Sequence, residues 1–431
     1  MMISGKTAGE IFEQIRAGMQ SGGYLPGDTL PPVRELAVAL EVNRNTVAAA
    51  YKRLIEAGFA ESRGRNGTVI RALAERAAQE GSPPGLTLID LAGGNPSVSL
   101  LPDLSRVLSQ LPFRHRVYGE PAINPQLEHY GREWMGGDLP GPFSLSLTNG
   151  AVDALERLLT SYLIGGDRVV VEDPCFLSSI NTLNNCRLNA VGVTIDEEGI
   201  CAGELEAALM SGVQAVIITP RAHNPTGWGF SATRAAQIRD VLANYPQVLV
   251  IVDDHFSLLS THDYYHVIPP QTRRWALIRS VSKILGPDMR LALIASDEES
   301  AQRLAMRINA GSNWVSHLLQ DLTLAALQSA EIRSEISEAR DQYQRRRGAL
   351  NNALVNHGVT MSLKHDGLNI WLPLKYDSAD LVRQLSTYGW LVRSGEVFGL
   401  DPKVNGLRIT VADFAAHQVD VFARTLAQLL R

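Results

Sequence analysis

The sequence predicts a multidomain chain: an N-terminal winged helix-turn-helix, then an α/β domain, then a smaller C-terminal α+β lobe. The 431 residues exceed what one compact core usually organises. The first 70 residues combine apolar side chains at helical spacing with two short strand-like runs around a turn. Beyond residue 88, apolar runs alternate with helical stretches, a rhythm typical of a mostly parallel sheet covered by helices.

Composition and charge exclude several classes of protein. Hydrophobic residues make up 45% of the chain and charged residues 20%, which argues against a disordered or collagen-like protein. The net charge of −5 gives no general attraction to nucleic acid. Residues 1–73 nevertheless hold nine Lys and Arg against seven Asp and Glu, whereas the remainder holds 31 against 38. DNA binding must therefore come from a local surface of the N-terminal part.

A cytoplasmic location without membrane contact is expected. The three cysteines, Cys175, Cys186 and Cys201, cannot form a disulfide framework and suit a reducing compartment. No apolar run approaches the roughly 20 residues that a membrane-spanning helix needs. The segment MMISGKTAGE lacks the apolar centre of a signal peptide.

Three helices are predicted in the head, residues 1–72. Residues 7–19 carry apolar side chains at helical spacing, and Pro32 suits the first turn of a second helix. Asn43 has the side chain of an N-cap for the third helix, which Gly58 ends.

A hairpin completes the predicted winged helix-turn-helix. Residues 59–62 and 68–71 have strand patterns and are joined by the basic turn 63–67. The connector that follows, residues 73–88, is rich in small residues and broken by Gly and Pro. It leads to the body, residues 89–431.

The body combines a predicted sheet with a smaller lobe that begins at about residue 361. The lobe has alternating runs at 368–372 and 406–411 and a final helix from Gln418. The strands predicted for the sheet are residues 168–172, 215–219, 248–253, 275–279 and 291–296.

The start of the third helix has the chemistry of a DNA-reading surface. Asn43, Arg44, Asn45 and Thr46 place short polar groups and a guanidinium at a helix N-terminus, where they can meet phosphates and base edges. Arg34 lies on the preceding helix. Any one of these residues could instead belong to a charged face that contacts only solvent. This alternative explains the whole set less well, because the residues coincide with the turn, the helix start and the wing tip.

Residues 22–70 resemble the DNA-binding domain of GntR-type bacterial regulators along nearly their full length. The resemblance implies that Gly67 lets the wing approach the minor groove. Asn43 stands where Ser or Thr is more usual, and it is still a cap. The DNA-binding residues predicted for the head are Arg34, Asn43, Arg44, Asn45, Thr46, Arg63, Arg65 and Gly67.

One lysine of the body has the surroundings that a Schiff-base cofactor needs. Such a cofactor requires a phosphate clamp, a carboxylate for a pyridinium nitrogen and a side chain that stacks on its ring. Lys283 follows Ser280 and Ser282 and precedes Arg290, so two hydroxyls and a guanidinium accompany one amine. Its place between a strand and a Gly-Pro turn favours function over a surface role.

Other side chains supply the remaining parts. Asp253 and Asp254 close an apolar strand, where carboxylates are costly unless they have partners. Residues 148–155 lead into a helix whose N-terminal amides can hold a phosphate. Phe176 offers an aromatic ring on a strand-to-helix loop, and Arg408 can pair with a carboxylate through two hydrogen bonds.

In this order the parts resemble a fold-type I aminotransferase of the aspartate aminotransferase class, over residues 89–431. The most specific feature is Asn-Pro-Thr-Gly at 224–227, which begins 29 residues before Asp253, with Lys283 of Ser-x-Ser-Lys 30 residues further on. The resemblance implies pyridoxal 5′-phosphate as the cofactor and Lys283 as the residue that carries it as an internal aldimine.

The resemblance also implies roles for the other residues. Asp253 would pair with the pyridinium nitrogen, with Asp254 as the alternative register. Asn224 would reach the phenolic oxygen, Phe176 would stack on the ring, and Arg408 would take an amino-acid carboxylate. The phosphate would be held by Gly150, Ala151, Val152, Ser280, Ser282 and Arg290.

One departure from the class bears on catalysis. The tyrosine that usually follows the aspartate by two or three residues is replaced by His255 and Phe256. Histidine can replace its hydrogen bond to the phenolic oxygen and phenylalanine cannot, which leaves competence in transamination open. His262 and His266 stand four residues apart, but no third ligand accompanies them, so no metal is predicted.

A GntR-type head on an aminotransferase-like body is the arrangement of MocR-type regulators. It implies a homodimer with head-to-tail exchange, in which Tyr118 would reach the phosphate in the partner subunit. The predicted function is a DNA-binding transcriptional regulator, with repression the expected sign. Pyridoxal 5′-phosphate on Lys283 would act as its effector, and a vitamin B6 salvage gene would be its target.

Two alternatives remain at this point. An active pyridoxal-phosphate-dependent aminotransferase with an accessory DNA-binding head is favoured by Arg408 and Asn224 and opposed by His255 and Phe256. A heterodimeric assembly protein with a degenerate site is disfavoured, because the cofactor-binding set is retained. The signal is also open, since either pyridoxal 5′-phosphate or a second amino compound fits.

Overall fold

The computed structural model describes residues 3–62, 64, 67–70, 79–83, 85, 87–112, 114–400 and 404–431, apart from the side chains of Glu56 and Glu61. The chain divides into two compact units. The first comprises Met1–Ala78, Ile164–Asp167 and Asn184–Leu188, and the second comprises Gln79–Leu163, Arg168–Leu183 and Asn189–Arg431.

The head is a helix-turn-helix followed by a two-stranded antiparallel hairpin, which confirms the predicted winged fold. Thr7 caps the first helix, because its hydroxyl accepts the Glu10 N–H at 3.2 Å. Asn43 caps the third helix by accepting the Asn45 N–H at 2.8 Å, as predicted. The elements are α1 (Ala8–Gln20), α2 (Val33–Ala39), α3 (Arg44–Glu56), β1 (Ala60–Ser62) and β2 (Thr68–Ile70).

The apolar faces of these helices form a small core. Ile11 and Ile15 of α1 pack with Val47 and Leu54 of α3, and none of the four has any solvent exposure. The Tyr51 hydroxyl donates a hydrogen bond to the Pro31 carbonyl at 2.7 Å and so ties α3 to the loop before α2.

A mixed eight-stranded sheet forms the centre of the second unit. Six strands run parallel, and only the edge strand β7 and the inner strand β11 run opposite, which confirms the mostly parallel prediction. The order is β4-β11-β10-β9-β8-β5-β6-β7. After the short β3 (Ile89–Asp90), these strands are β4 (Ser144–Thr148), β5 (Arg168–Asp173), β6 (Asn189–Asp196), β7 (Gly199–Ile200), β8 (Ala215–Ile218), β9 (Leu249–Asp253), β10 (Trp275–Ser280) and β11 (Ala292–Ser296).

Helices pack against this sheet around the largest core of the chain. The longest one spans two cores, because Ile332 and Tyr343 pack with the sheet whereas Leu350 and Leu354 pack in the smaller lobe. The helices are α4 (Ser105–Leu108), α5 (Pro125–Gly136), α6 (Ala151–Tyr162), α7 (Leu177–Asn185), α8 (Ala202–Met210), α9 (Ala232–Ala243), α10 (Ser282–Leu285), α11 (Glu298–Asn309), α12 (His317–Gln328) and α13 (Ala330–Asn356).

The smaller lobe contains a three-stranded antiparallel sheet of order β12-β15-β14. A separate strand, β13, pairs with β3, and Leu91 joins the lobe's core. The core of the lobe therefore includes a residue near 90 and begins at about residue 350 rather than at the predicted 361. Its elements are β12 (Asn369–Pro373), α14 (Ala379–Thr387), β13 (Trp390–Leu391), β14 (Arg393–Ser394), β15 (Gly406–Thr410) and α15 (Ala416–Leu429).

Leu54→Ala is expected to destabilise the head by about 2–5 kcal/mol, because it leaves a cavity in a fully buried core. Ile55→Ala is the matched control, since the neighbouring Ile55 is 37% exposed. Urea denaturation followed by circular dichroism measures both variants. An equal loss of stability in the two would contradict this packing.

Candidate functional site

Ten of the thirteen predicted cofactor residues meet at the carboxyl ends of parallel strands. Asp253 ends β9 and Ser280 ends β10, while Thr219 follows β8 and Phe176 lies on the loop after β5. A cavity of about 360 Å³ opens there. It is lined by the predicted Ala151, Val152, Phe176, Asn224, Asp253, His255, Ser280, Ser282, Lys283 and Arg290, and by Glu80, Asn95, Ser178, Thr219 and Pro287.

Lys283 projects into this cavity from the short helix α10. Its Nζ donates a hydrogen bond to the Gly94 carbonyl at 2.9 Å. Burial lowers the pKa of Lys283 below its ordinary value, although the charge of Glu80 opposes the shift and that of Arg408 adds to it. A lowered pKa increases the neutral fraction of the amine, which is the form that attacks an aldehyde carbon.

Asp253 is the carboxylate that faces the cavity. Its Oδ1 is buried and has no hydrogen-bond partner among the described residues. Burial raises the pKa of Asp253 to about 7, and the nearby charge of Asp254 adds to the shift. A ring N–H cation such as a pyridinium would supply the missing partner of Asp253 Oδ1. Its charge would also favour the ionised form of this carboxyl.

Asp254 faces a different environment and does not line the cavity. It is fully buried, and Arg221 donates to both of its oxygens at 2.7 and 2.8 Å. Arg279 donates to Asp254 Oδ2 at 2.8 Å. Because two guanidiniums occupy this carboxylate, the geometry does not favour the alternative register in which Asp254 meets the cofactor.

Five of the six residues predicted for phosphate binding line the cavity, and the sixth, Gly150, directly precedes Ala151. Gly150 precedes α6 with φ 94°, and a Cβ there would lie 2.5 Å from Arg290 Nη2, so only glycine leaves this approach open. Arg290 donates to Ser282 Oγ at 3.4 Å and to the Asn149 carbonyl at 3.2 Å. The helix N-terminus at Ala151 and this guanidinium together suit a phosphate.

His255 and Phe256 take different positions. Burial lowers the pKa of His255 to about 4, with a further contribution from Lys283, so its ring is neutral at pH 7. His255 lines the cavity, whereas Phe256 is 2% exposed and belongs to the core. Of the two residues at the usual tyrosine position, only His255 can reach a ligand.

Sequence patterns did not identify five of the lining residues, and Thr219 illustrates why. Its N–H donates to both carboxylate oxygens of Glu172 at 3.1 Å. Burial raises the pKa of Glu172 to about 8. Thr219 carries no motif of its own, and only the pairing of β8 between β5 and β9 brings it to the cavity.

Arg408 and Tyr118 lie outside the cavity lining. Arg408 is fully buried on β15, and its guanidinium binds the Glu80 carboxylate and the Asn224 side chain rather than facing open space. The Tyr118 ring is 82% exposed and contacts Trp314 at a centroid distance of 5.3 Å.

The described part of the predicted DNA-binding surface is accessible. Arg34 on α2 is exposed, as are Asn43, Arg44 and Asn45 at the start of α3. Thr46 is half-buried, and Gly67 is exposed with φ 83°. Arg63 and Arg65 lie outside the described residues.

The described ranges contain no cluster of three or more potential metal ligands among His, Cys, Asp and Glu. No helix within them is long and apolar enough to span a membrane.

Family comparisons agree with this arrangement. Residues 88–426 match the family described as aminotransferase class I and II, and residues 7–70 match bacterial regulatory proteins of the gntR family. The sequence also suggests the enterobacterial regulator PtsJ as a particular relative, and this relationship is confirmed. The chain is 49% identical over 429 residues to the vitamin B6 salvage pathway transcriptional repressor PtsJ of Salmonella typhimurium, with 100% of each chain covered.

More distant proteins are similar to a large share of the chain. The pyridoxine biosynthesis transcriptional regulator PdxR of Corynebacterium glutamicum is 24% identical, over 80% of this chain and 78% of its own. The Pyrococcus horikoshii kynurenine aminotransferase structure has a TM-score of 0.73 at 22% identity, covering 80% of this chain and 91% of its own. The latter likeness shows the fold alone.

Asp254→Asn is expected to lower the free energy of unfolding by about 3–5 kcal/mol, because it removes the charge of a carboxylate that both Arg221 and Arg279 contact. Asp253→Asn breaks no hydrogen bond at Oδ1 with any residue that the structure describes. In the cofactor-free protein it should increase stability by an amount that grows as the pH rises from about 4 to about 7.

The sign of this pH dependence follows from the pKa of Asp253. Folding raises that pKa from 3.8 to about 7, so the wild-type carboxyl stabilises the protein less as it ionises through that range, and asparagine does not ionise. Urea denaturation across pH measures the difference between Asp253→Asn and wild type. A difference that is constant from pH 4 to pH 8 would show that Asp253 is not a buried, unpaired carboxyl.

Arg44→Ala should weaken binding to a DNA fragment from upstream of the gene by about 1–3 kcal/mol if the guanidinium contacts a base. Fluorescence anisotropy measures this affinity. Arg16→Ala is the matched control, because Arg16 is a half-exposed arginine of α1 paired with Glu13 at 2.8 Å. Equal DNA affinity in the two variants would remove Arg44 from the interface.

Proposed function

Because this chain belongs to the aminotransferase class I and II family and joins to it a DNA-binding domain of the gntR family, we propose that it is a transcriptional repressor. Its effector is pyridoxal 5′-phosphate, bound at Lys283. Its target is a gene of vitamin B6 salvage. The aminotransferase class I family is pyridoxal-phosphate dependent, and the lining of the cavity fits that cofactor.

The observation that carries the proposal is the match along the whole chain to a vitamin B6 salvage repressor at 49% identity. The match extends through both the DNA-binding head and the cofactor-site body, so it supports their joint use rather than one part alone. The choice of effector is supported by Asp253 Oδ1, which has no hydrogen-bond partner within the described ranges, and by the lowered pKa of Lys283.

Each residue has a defined part in holding the effector. Pyridoxal 5′-phosphate supplies an aldehyde that reacts with an amine and a ring nitrogen that draws electrons when protonated. Lys283 would hold the cofactor through its aldehyde, and Asp253 would hold the proton on the ring nitrogen. Arg290, Ser280 and Ser282 hold the phosphate together with the start of α6. His255, neutral at pH 7, is placed to reach the phenolic oxygen.

Regulation requires the effector to bind one arrangement of the protein better than another. We expect a homodimer in the cytoplasm in which cofactor binding shifts this equilibrium and changes operator affinity. The repressed pathway produces the effector of the repressor. Feedback is negative when this effector strengthens operator binding, because more product then means more repression. The proposed direction is therefore tighter binding with cofactor.

The alternative, an active aminotransferase with an accessory DNA-binding head, is not favoured. Arg408 and Asn224 favour it in the sequence, and both side chains are bound to Glu80 and to each other.

Titration of the gene's own upstream DNA, with and without pyridoxal 5′-phosphate, tests the proposal. For wild type, the cofactor should tighten binding by about 5- to 150-fold, the usual range of coupling between two sites. Lys283→Ala should abolish this change and the visible absorbance of the bound cofactor. It should leave cofactor-free DNA binding within about twofold of wild type.

Lys364→Ala is the matched control, because this exposed lysine pairs with Glu197 at 3.9 Å and does not line the cavity. It should respond to the cofactor as wild type does. An operator affinity that the cofactor leaves unchanged in wild type would refute the effector role. A full response in Lys283→Ala would refute the assignment of the lysine.

A further inference from the structure

Arg408, the arginine expected to bind an amino-acid carboxylate, already holds a carboxylate of this chain. Its Nη1 donates to Glu80 Oε1 at 2.6 Å and its Nη2 donates to Glu80 Oε2 at 2.7 Å. Two parallel hydrogen bonds of this kind are the geometry in which arginine recognises a free carboxylate. Glu80 therefore occupies the guanidinium in the manner of a ligand.

Asn224 takes part in the same contact. Its Nδ2 donates to Glu80 Oε1 at 2.9 Å, while its Oδ1 accepts from Arg408 Nη1 at 2.9 Å. Glu80 also lines the cavity that contains Lys283. Both side chains that favoured an amino-acid substrate in the sequence thus engage one internal carboxylate beside the reactive lysine.

The backbone around Glu80 is held firmly in place. Arg393 donates to the carbonyl of Gln79 at 2.8 Å and to the carbonyl of Gly81 at 2.7 Å, on either side of Glu80. The Gly81 N–H donates to the Gly93 carbonyl at 2.7 Å. Any Cβ at Gly94 would overlap Glu80 and lie 2.8 Å from Arg408 Nη2, so this close packing requires glycine.

The charge state of Glu80 suits this role. Burial alone would raise the pKa of Glu80, but the charge and hydrogen bonds of Arg408 outweigh it and lower the pKa below its ordinary value. The carboxylate is therefore ionised at neutral pH, as the carboxylate of an amino acid would be.

We infer that Glu80 is a specificity-determining residue: by occupying Arg408 and Asn224 it excludes α-amino acids from the cavity while leaving room for pyridoxal 5′-phosphate. This rests on the proposed function and names which ligands the site rejects. An incoming amino acid must displace a tethered carboxylate whose effective concentration is on the order of millimolar or higher. An amine without a carboxylate meets no such competitor.

Ethylamine and L-alanine form a matched pair of probes, since they differ by one carboxylate. With wild-type protein loaded with cofactor, ethylamine should shift the visible absorbance by displacing the lysine amine, and L-alanine at millimolar concentration should not. In Glu80→Gln and Glu80→Ala, L-alanine should shift the spectrum with a midpoint at least tenfold lower than in wild type. Adding Arg408→Gln to Glu80→Gln should remove this gain.

Glu128→Gln is the control for loss of a glutamate, because Glu128 pairs with Arg132 at 2.8 Å on α5, away from the cavity lining. It should behave as wild type. Equal midpoints for L-alanine in wild type, Glu80→Gln and Glu80→Ala would overturn the inference.

Saturation-transfer NMR with propionate on cofactor-free protein tests the inference without using the cofactor. Propionate should bind Glu80→Ala and not wild type, and equal binding to both would overturn the inference. Because this readout needs no cofactor, it remains decisive if wild type fails to bind pyridoxal 5′-phosphate, which would instead refute the proposed function.

Discussion

The parallel pairing of the central strands determines where the cofactor site lies. Carboxyl ends of adjacent parallel strands meet at one edge of a sheet. For β9 and β10 this brings Asp253 and Ser280 together, and the turn after β10 places Lys283 beside them. The backbone positions of these residues thus follow from the hydrogen bonds of buried strands. The position of the cavity is therefore determined mainly by the pairing of the main chain, and less by contacts between side chains.

The two consecutive aspartates show how the same strand end serves both stability and chemistry. The last ladder pair of β9 joins Asp253 to Ile278, and the Asp254 N–H then donates to the Ile278 carbonyl at 2.9 Å. Successive side chains of an extended chain point to opposite faces. One carboxylate therefore meets two buried guanidiniums, and the other is left without a partner on the cavity side.

Much of the fold follows from patterns within short windows of sequence. The cap at Asn43, the five strands predicted for the sheet and the order of the cofactor motifs are local, and the structure has them within a few residues of the predicted bounds. The sequence patterns did not predict β4, β6 and β7 of the same sheet. Such local patterns could not decide whether Asp253 or Asp254 faces the cofactor. The arginines that decide it are 33 and 25 residues from Asp254 along the chain, and no local pattern places them.

Sequence patterns also could not predict that Glu80 lies at the cavity and binds Arg408. The connector in which it lies has the composition of a flexible segment, and its partner Arg408 is 328 residues away. The two-residue strand β3 was missed for a related reason, since its pairing with β13 spans most of the chain and leaves almost no periodicity to detect. Most features that the sequence did not predict depend on contacts between residues far apart along the chain. The types of the helices and strands were easier to predict.

The proposed regulation couples the cofactor site to the operator site, and coupling of binding free energies is reciprocal. The most direct test is the affinity for pyridoxal 5′-phosphate, measured by its visible absorbance with and without saturating operator DNA. The operator should tighten cofactor binding by the same factor by which the cofactor tightens operator binding. A cofactor affinity that operator DNA leaves unchanged would contradict the account.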